Sequence, residues 1–119
     1  MQKLSAVITD DHPLFRESLQ VFLSTHTCYE VVGQCESGEE AIEFASRLQP
    51  DVMIMDMQLP GISGAVAAAY LRKKYPAMQV IGVSMFAGSV IRRQFNKAGV
   101  EIVLDKVNCA EYLSATSKT

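Results

Sequence analysis

The sequence lacks the features that mark secreted, membrane-spanning or nucleic-acid-binding proteins. Its 119 residues include only three cysteines, and these form neither a CxxC pair nor a spacing typical of zinc ligands. No apolar run approaches the roughly 20 residues of a membrane-spanning helix. Eleven Lys and Arg residues against thirteen Asp and Glu residues give a net charge of −2, so no basic surface favours DNA or RNA. We therefore expect a cytoplasmic protein with no membrane or nucleic-acid contacts of its own, in which Cys28, Cys35 and Cys109 are reduced.

The composition is that of one globular domain. Hydrophobic residues make up 49% of the chain and charged residues 20%. A chain of this length buries roughly two-thirds of its unfolded surface, so it needs no disulfide or metal ion in order to fold. The sequence shows no internal linker or repeat. We expect a single domain over residues 1–119.

Short apolar runs alternate with segments of helical periodicity. The runs are rich in Val, Ile and Met, as is typical of strands buried on both faces of a parallel sheet. They lie at residues 5–9, 29–35, 52–56, 80–84 and 102–104. Helices are predicted at about residues 13–25, 37–49, 65–75 and 89–98 and from 109 onward, the last fading into the polar end 114–119. This order predicts a doubly wound (βα)5 sheet of the flavodoxin-like α/β class, with strand order 2-1-3-4-5.

Charged and polar residues stand where several of these strands end. Asp10 and Asp11 follow the first strand, Asp56 ends the third, and Ser84 and Lys106 end the fourth and fifth. Ligands of such sheets bind outside the carboxyl ends of the strands, so these side chains are expected to meet. Three crowded carboxylates repel one another, and a divalent cation such as Mg²⁺ relieves that repulsion. A carboxylate nucleophile, a metal ion and an ammonium are the groups that phosphoryl transfer needs.

Several segments resemble the receiver domains of bacterial two-component response regulators, over essentially the whole chain. The matching segments are Asp10-Asp11-His12-Pro13-Leu14-Phe15-Arg16, residues 50–64, residues 80–84, Lys97-Ala98-Gly99 and Lys106. The first of these looks most like the subgroup whose receivers precede a LuxR-type helix-turn-helix domain.

The resemblance implies a role for each residue of the site. Asp56 would be the phosphoacceptor. Mg²⁺ would be held by Asp10, Asp11 and Asp56 together with the backbone carbonyl of Gln58, Asp10 acting through a water molecule. Ser84 and Lys106 would bind phosphoryl oxygens.

The resemblance also implies the partners. A histidine kinase would donate the phosphoryl group, activation would lead to a homodimer or release an output domain, and that domain, absent from this chain, would control transcription. The chain would assist its own phosphorylation without turning over any other substrate.

Some positions depart from the family pattern. Val103 stands where many receivers carry an aromatic switch residue, and Val107 stands where a proline commonly follows the lysine. We therefore expect the pocket gate to involve Met85, Phe86 and Val103, with Phe86 shielding the acyl phosphate from water. His12 is expected to be a bystander in the loop after the first strand.

Other functions share parts of the pattern. A single-domain or pseudo-receiver binding module would keep the fold without needing Asp56, Ser84 and Lys106 together. An FMN carrier of the flavodoxin type would need a hydroxyl-rich phosphate loop where the acidic pair stands. An aspartyl phosphatase would use similar carboxylates, but the family that this alternative resembles carries a second Asp two residues after the nucleophile. This chain has Gln58 at that position. Phosphorylation-controlled switching accounts for more of the residues.

Overall fold

The computed structural model describes residues 3–116, in which five strands alternate with five helices. The strands are β1 (Leu4–Thr9), β2 (Tyr29–Cys35), β3 (Val52–Asp56), β4 (Gln79–Ser84) and β5 (Ile102–Asp105). The helices are α1 (Pro13–His26), α2 (Gly38–Leu48), α3 (Gly64–Lys74), α4 (Ser89–Lys97) and α5 (Lys106–Thr116). Within these residues, no helix is both long enough and apolar enough to cross a membrane.

The strands form one parallel sheet in the order β2-β1-β3-β4-β5, which confirms the predicted fold class and topology. The central strand β3 is buried over its whole length. Its side chains alternate between the two faces of the sheet, as the pleat requires. Met53 and Met55 pack in a cluster with residues of α2, α3 and α4, whereas Val52 and Ile54 pack in a cluster with residues of α1 and α5.

Two serines begin the helices that flank the central strand. Ser37 Oγ accepts a hydrogen bond from the Glu40 amide at 3.1 Å, which is the first of the two bonds of a capping box. The Glu40 carboxylate reaches back one residue further than expected, to the Glu36 amide at 2.6 Å. Ser63 caps α3 in the same way through the Val66 amide.

The first residue of α3 lies directly against the end of β3. A Cβ atom on Gly64 would stand 1.8 Å from the carbonyl oxygen of Asp56, so no side chain fits there. The Gly64 amide donates to the Met57 carbonyl at 2.8 Å. A glycine at this position therefore fixes the turn that follows Asp56.

Helix α5 differs from the prediction. It begins at Lys106, three residues before Cys109, and follows β5 without an intervening loop. Val107 and Asn108 in its first turn are exposed and carry no capping signal, so the apolar pattern became visible only at the buried Cys109. The Lys106–Val107 peptide bond is trans. The helix continues through residue 116, and the rest of the predicted polar end, residues 117–119, lies outside the described residues.

The three cysteines are free thiols. Burial raises the pKa of the Cys35 thiol to about 12 and that of Cys109 to about 11. Both thiols are therefore protonated and unreactive near neutral pH, in keeping with the prediction.

Candidate functional site

Two buried carboxylates lie side by side where β1 and β3 end. Thr9 pairs with Met55 across these neighbouring strands, so Asp10 and Asp56 are the next residues along each. Asp10 is 0% exposed and Asp56 is 3% exposed. Asp11, one residue further on, is exposed. The structure thus brings together the three carboxylates that the sequence predicts to meet.

Lys106 contacts both buried carboxylates. Its Nζ lies 2.6 Å from Asp10 Oδ2 and 3.3 Å from Asp56 Oδ2. The ammonium also stands 4.9 Å above the centre of the Phe15 ring. Burial lowers the pKa of Lys106, but the hydrogen bond to Asp10 and the charges of Asp56 and Asp10 outweigh burial and leave the pKa raised. Lys106 therefore carries a positive charge at the bottom of the site.

Asp56 is held in an unfavourable environment for an ionised carboxyl group. Burial and, secondly, the charge of Asp10 raise the pKa of Asp56 to about 6. Lys106 and the Gln58 amide, which donates to Asp56 Oδ1 at 3.4 Å, offset only part of this effect. Asp56 is thus a carboxylate that gains stability from any added positive charge.

His12 is closer to the site than the sequence suggests. It lies in the loop after β1, as expected, but its ring faces the carboxylates. Nδ1 stands 3.0 Å from Asp10 Oδ1, 3.2 Å from Asp11 Oδ1 and 3.3 Å from Lys106 Nζ. The sequence contained one signal for this position, a histidine directly after two aspartates, but no pattern that fixes the direction of the ring.

These side chains fit a divalent metal ion. Ligand atoms of Asp10, Asp11, His12 and Asp56 all lie within 4.8 Å of one another. Asp10 Oδ2 is buried, and its contact is with the Lys106 ammonium at 2.6 Å, which Asp56 shares. Three carboxylates and one ammonium leave two uncompensated negative charges, since 3 − 1 = 2, and a divalent cation would neutralise them. The cluster could therefore hold a metal through oxygen ligands.

Gln58 lies beside this cluster. With Asp11 it lines a depression of about 590 Å³ that extends toward α4. The predicted role of its backbone carbonyl as a metal ligand stays a prediction.

The predicted gate residues are divided between core and solvent. Val103 is buried in β5, whereas Met85 is 58% exposed and Phe86 is 82% exposed in the loop after β4. Ser84 is buried, and its Oγ lies 3.5 Å from the Phe86 carbonyl, at the long limit of a hydrogen bond. In this structure the Phe86 ring does not cover the carboxylates, so its shielding role stays a prediction for another state.

Polar contacts that the sequence did not predict hold this loop to β5. Asp105 Oδ1 accepts a hydrogen bond from the Ala87 amide at 2.7 Å. Arg92 donates from Nε to the Ala87 carbonyl and from Nη1 to the Val103 carbonyl, each at 2.7 Å. Arg92 therefore links α4, the loop and the strand.

Comparison with known proteins identifies the class and then the family. A parallel five-stranded sheet in the order β2-β1-β3-β4-β5, with helices between its strands, is a flavodoxin-like doubly wound α/β fold. Residues 6–116 match the family described as response regulator receiver domain. The chain belongs to this family.

The relatives and solved structures agree. The transcriptional regulatory protein DegU of Brevibacillus brevis is 39% identical over 83 residues, which cover 70% of this chain and 35% of DegU. The signal receiver domain of NarL from Mycobacterium tuberculosis superposes with a TM-score of 0.89 and 31% identity over 97% of this chain and 93% of that chain.

A LuxR-family DNA-binding response regulator from Staphylococcus aureus superposes with a TM-score of 0.87 and 25% identity over 95% of this chain and 94% of that chain. The predicted likeness to LuxR-type regulators is thereby confirmed. The chain spans about a third to a half of the length of the first curated relatives it matches.

Proposed function

We propose that this chain is a phosphorylation-controlled switch that accepts a phosphoryl group from a histidine kinase on Asp56. The observation that carries the proposal is the environment of Asp56. Its carboxylate is buried at the end of β3, its pKa is raised, and the Lys106 ammonium lies 3.3 Å away. A nucleophile so placed has a fixed position and a cation ready for the incoming phosphate.

The residues around Asp56 suit Mg²⁺ as the ion of the site. Asp10, Asp11, Asp56 and the backbone carbonyl of Gln58 would supply hard oxygen ligands, and water would complete the octahedron. Bound there, Mg²⁺ would supply charge neutralisation to the phosphoryl oxygens.

The bonds that form and break in the transfer belong to the carboxylate and the donor alone. An Asp56 oxygen attacks phosphorus and forms an O–P bond, while the P–N bond of a phosphohistidine breaks and its electron pair returns to the imidazole. Lys106 lies near enough to Asp56 to pair with one phosphoryl oxygen. Ser84 at the end of β4 binds another by donating from its hydroxyl.

The contacts of the β4–α4 loop suggest how the change spreads. A movement of Ser84 toward the phosphoryl group displaces the loop that follows it. Ala87 in that loop is bonded to Asp105 and Arg92. A displaced loop therefore alters both β5 and α4, and the switch needs no aromatic residue at Val103.

The remaining roles rest on the relatives. DegU is named as a transcriptional regulatory protein. We infer that the native protein continues into a DNA-binding output domain, that it works in the cytoplasm, and that phosphorylation promotes a homodimer or frees that domain. No other substrate is turned over.

The acceptor is tested by intact-mass measurement after incubation with Mg²⁺ and a small acyl phosphate. Wild type should gain one phosphoryl group, and Asp56→Asn should gain none. Asp51→Asn is the matched control, because that carboxylate binds Ser5 at the other end of the same strand. It should be modified like wild type. A phosphoryl group on Asp56→Asn would show that the acceptor is another residue.

The metal is tested by thermal unfolding. Mg²⁺ at about 100 times its Kd should stabilise the wild type by about 2.7 kcal/mol. Asp11→Ala should abolish this shift, and Asp10→Ala should weaken it. An unchanged response in Asp11→Ala would remove Asp11 from the site.

A further inference from the structure

His12 stands where a metal ligand would stand. Its Nδ1 is 3.0 Å from Asp10 Oδ1 and 3.2 Å from Asp11 Oδ1. Adjacent ligands of an octahedral ion with bonds of about 2.1 Å are about 3.0 Å apart. The distances from Nδ1 to the two carboxylate oxygens therefore match those between adjacent ligands of one octahedral ion. The backbone supports this arrangement, because the His12 amide donates to the same Asp10 Oδ1 at 2.8 Å.

The surroundings of Nδ1 make conflicting demands on a single nitrogen. An ammonium offers no acceptor, so the contact with Lys106 Nζ at 3.3 Å requires the lone pair of Nδ1. Carboxylates offer no donor, so the contacts with Asp10 and Asp11 require a proton on Nδ1. A cation placed among the nitrogen and the two oxygens takes a lone pair from each, so Nδ1 needs no proton. The Lys106 ammonium keeps Asp10 Oδ2 and Asp56 Oδ2 as its acceptors.

A second observation points to a ligand in the same place. Asp10 is fully buried, and the Lys106 ammonium, 2.6 Å from Asp10 Oδ2 and 3.3 Å from Asp56 Oδ2, leaves two of the three carboxylate charges of the cluster uncompensated. The ring of His12 is mostly exposed, with a side-chain exposure of 65%, so Nε2 can keep its proton in water while Nδ1 faces the cluster.

We infer that His12 ligates the divalent ion of this site through Nδ1 and biases the site toward first-row transition ions, Mn²⁺ among them, relative to Mg²⁺. The inference rests on the metal site of the proposed function and adds a nitrogen to its oxygen ligands. Imidazole suits transition ions, whereas Mg²⁺ selects oxygen and gains little from a nitrogen ligand. His12 is thus a determinant of metal choice.

The test compares three forms of the whole chain with Mn²⁺ and Mg²⁺. They are wild type, His12→Ala and His26→Ala. His26 is the only other histidine and lies at the far end of α1, so it controls for adventitious imidazole binding. The His12 side chain makes no capping hydrogen bond to α1, so its removal should not unfold the helix. Matching two-dimensional NMR spectra would verify the fold of each variant.

Pulsed EPR of bound Mn²⁺ reports ligation directly, since a coordinated imidazole nitrogen modulates the echo. Wild type and His26→Ala should show this modulation, and His12→Ala should lose it. By calorimetry, the ratio of Mn²⁺ to Mg²⁺ affinity should fall on the order of tenfold in His12→Ala, with Mg²⁺ affinity itself changed much less. No nitrogen modulation in the wild type, its persistence in His12→Ala, or an unchanged affinity ratio would each overturn the inference.

The same measurements separate this inference from the proposed function. If His12 is not a ligand, Mg²⁺-dependent phosphorylation of Asp56 is still expected. If neither ion binds the wild type and Asp56 takes no phosphoryl group, the proposed function fails and the inference fails with it.

Discussion

Two sides of the site are held by different kinds of structure. One side consists of the carboxylates of Asp10 and Asp56, and the other is the loop of residues 85–88. The two carboxylates end central strands, and β3 is buried at every residue. The loop lies next to β5, an edge strand of four residues of which one is buried and three are half-buried. Asp105 and Arg92 each form one side-chain hydrogen bond with Ala87 of the loop, and Arg92 also donates to the Val103 carbonyl of β5.

This difference in support means that the reacting carboxylates and the moving loop lie in separate parts of the site. The carboxylates are fixed by the hydrophobic core, which yields little without loss of stability. The loop is fixed by polar contacts near the surface, each worth about 1 kcal/mol, so a modest interaction free energy can rearrange it. The chemistry is therefore placed on the rigid side and the movement on the adaptable side.

Two glycine substitutions give the largest expected contrast between these sides. Gly64→Ala places a Cβ against the Asp56 carbonyl and should lower the free energy of unfolding by about 3 kcal/mol or more. Gly88→Ala, in the loop, meets nothing within 4 Å and should cost less than about 1 kcal/mol. Urea unfolding of both variants measures the contrast, and similar costs would mean that the carboxylate side is not the more rigid one.

Neutralising the acceptor should stabilise the metal-free protein. The pKa of Asp56 is about 6 in the folded state against an ordinary value of 3.8, so the wild type loses stability as pH rises through this window. Asp56→Asn should therefore be more stable than the wild type by about 3 kcal/mol at pH 7, and nearly equally stable below about pH 3. Chemical unfolding at several pH values in a chelator measures the difference, and a gap independent of pH would contradict the assigned cause.

Breaking the polar contacts of the loop should have a smaller effect. Arg92→Met removes both bonds to carbonyls and should lower the unfolding free energy by about 1–2 kcal/mol and speed exchange of the Ala87 amide. Arg93→Met, its exposed neighbour on α4, should change stability by less than about 0.5 kcal/mol. Equal exchange rates in the two variants would show that Arg92 does not hold the loop.

Phe86→Ala should leave stability unchanged within about 0.5 kcal/mol, because the ring is exposed. We expect this variant to lose phosphate faster than the wild type if the ring closes over the phosphorylated site. The lifetime of the acyl phosphate, measured beside Met85→Ala, tests this. A lifetime equal to that of the wild type would leave Phe86 without a role in shielding.

The sequence predicts the rigid side better than the adaptable side. Residues 52–56 form an uninterrupted apolar run that ends in Asp56, so both the strand and the position of the carboxylate could be read in advance. The bonds of Asp105 and Arg92 depend on where a loop passes in three dimensions, which no local pattern records. Asp105 precedes Lys106 in the chain, yet its carboxylate turns to Ala87 while the lysine turns to Asp10. The direction of the His12 ring was missed for the same reason.

Helix α5 starts at the very residue whose ammonium contacts the site. Lys106 is the first residue of this helix, which is about 16 Å long at 1.5 Å per residue, and no loop separates the lysine from the rest of the helix. A shift of the Lys106 backbone by a fraction of an ångström cannot be absorbed locally. It moves the α5 axis as a lever, so the displacement is larger at Thr116, the far end of the helix, than at Lys106.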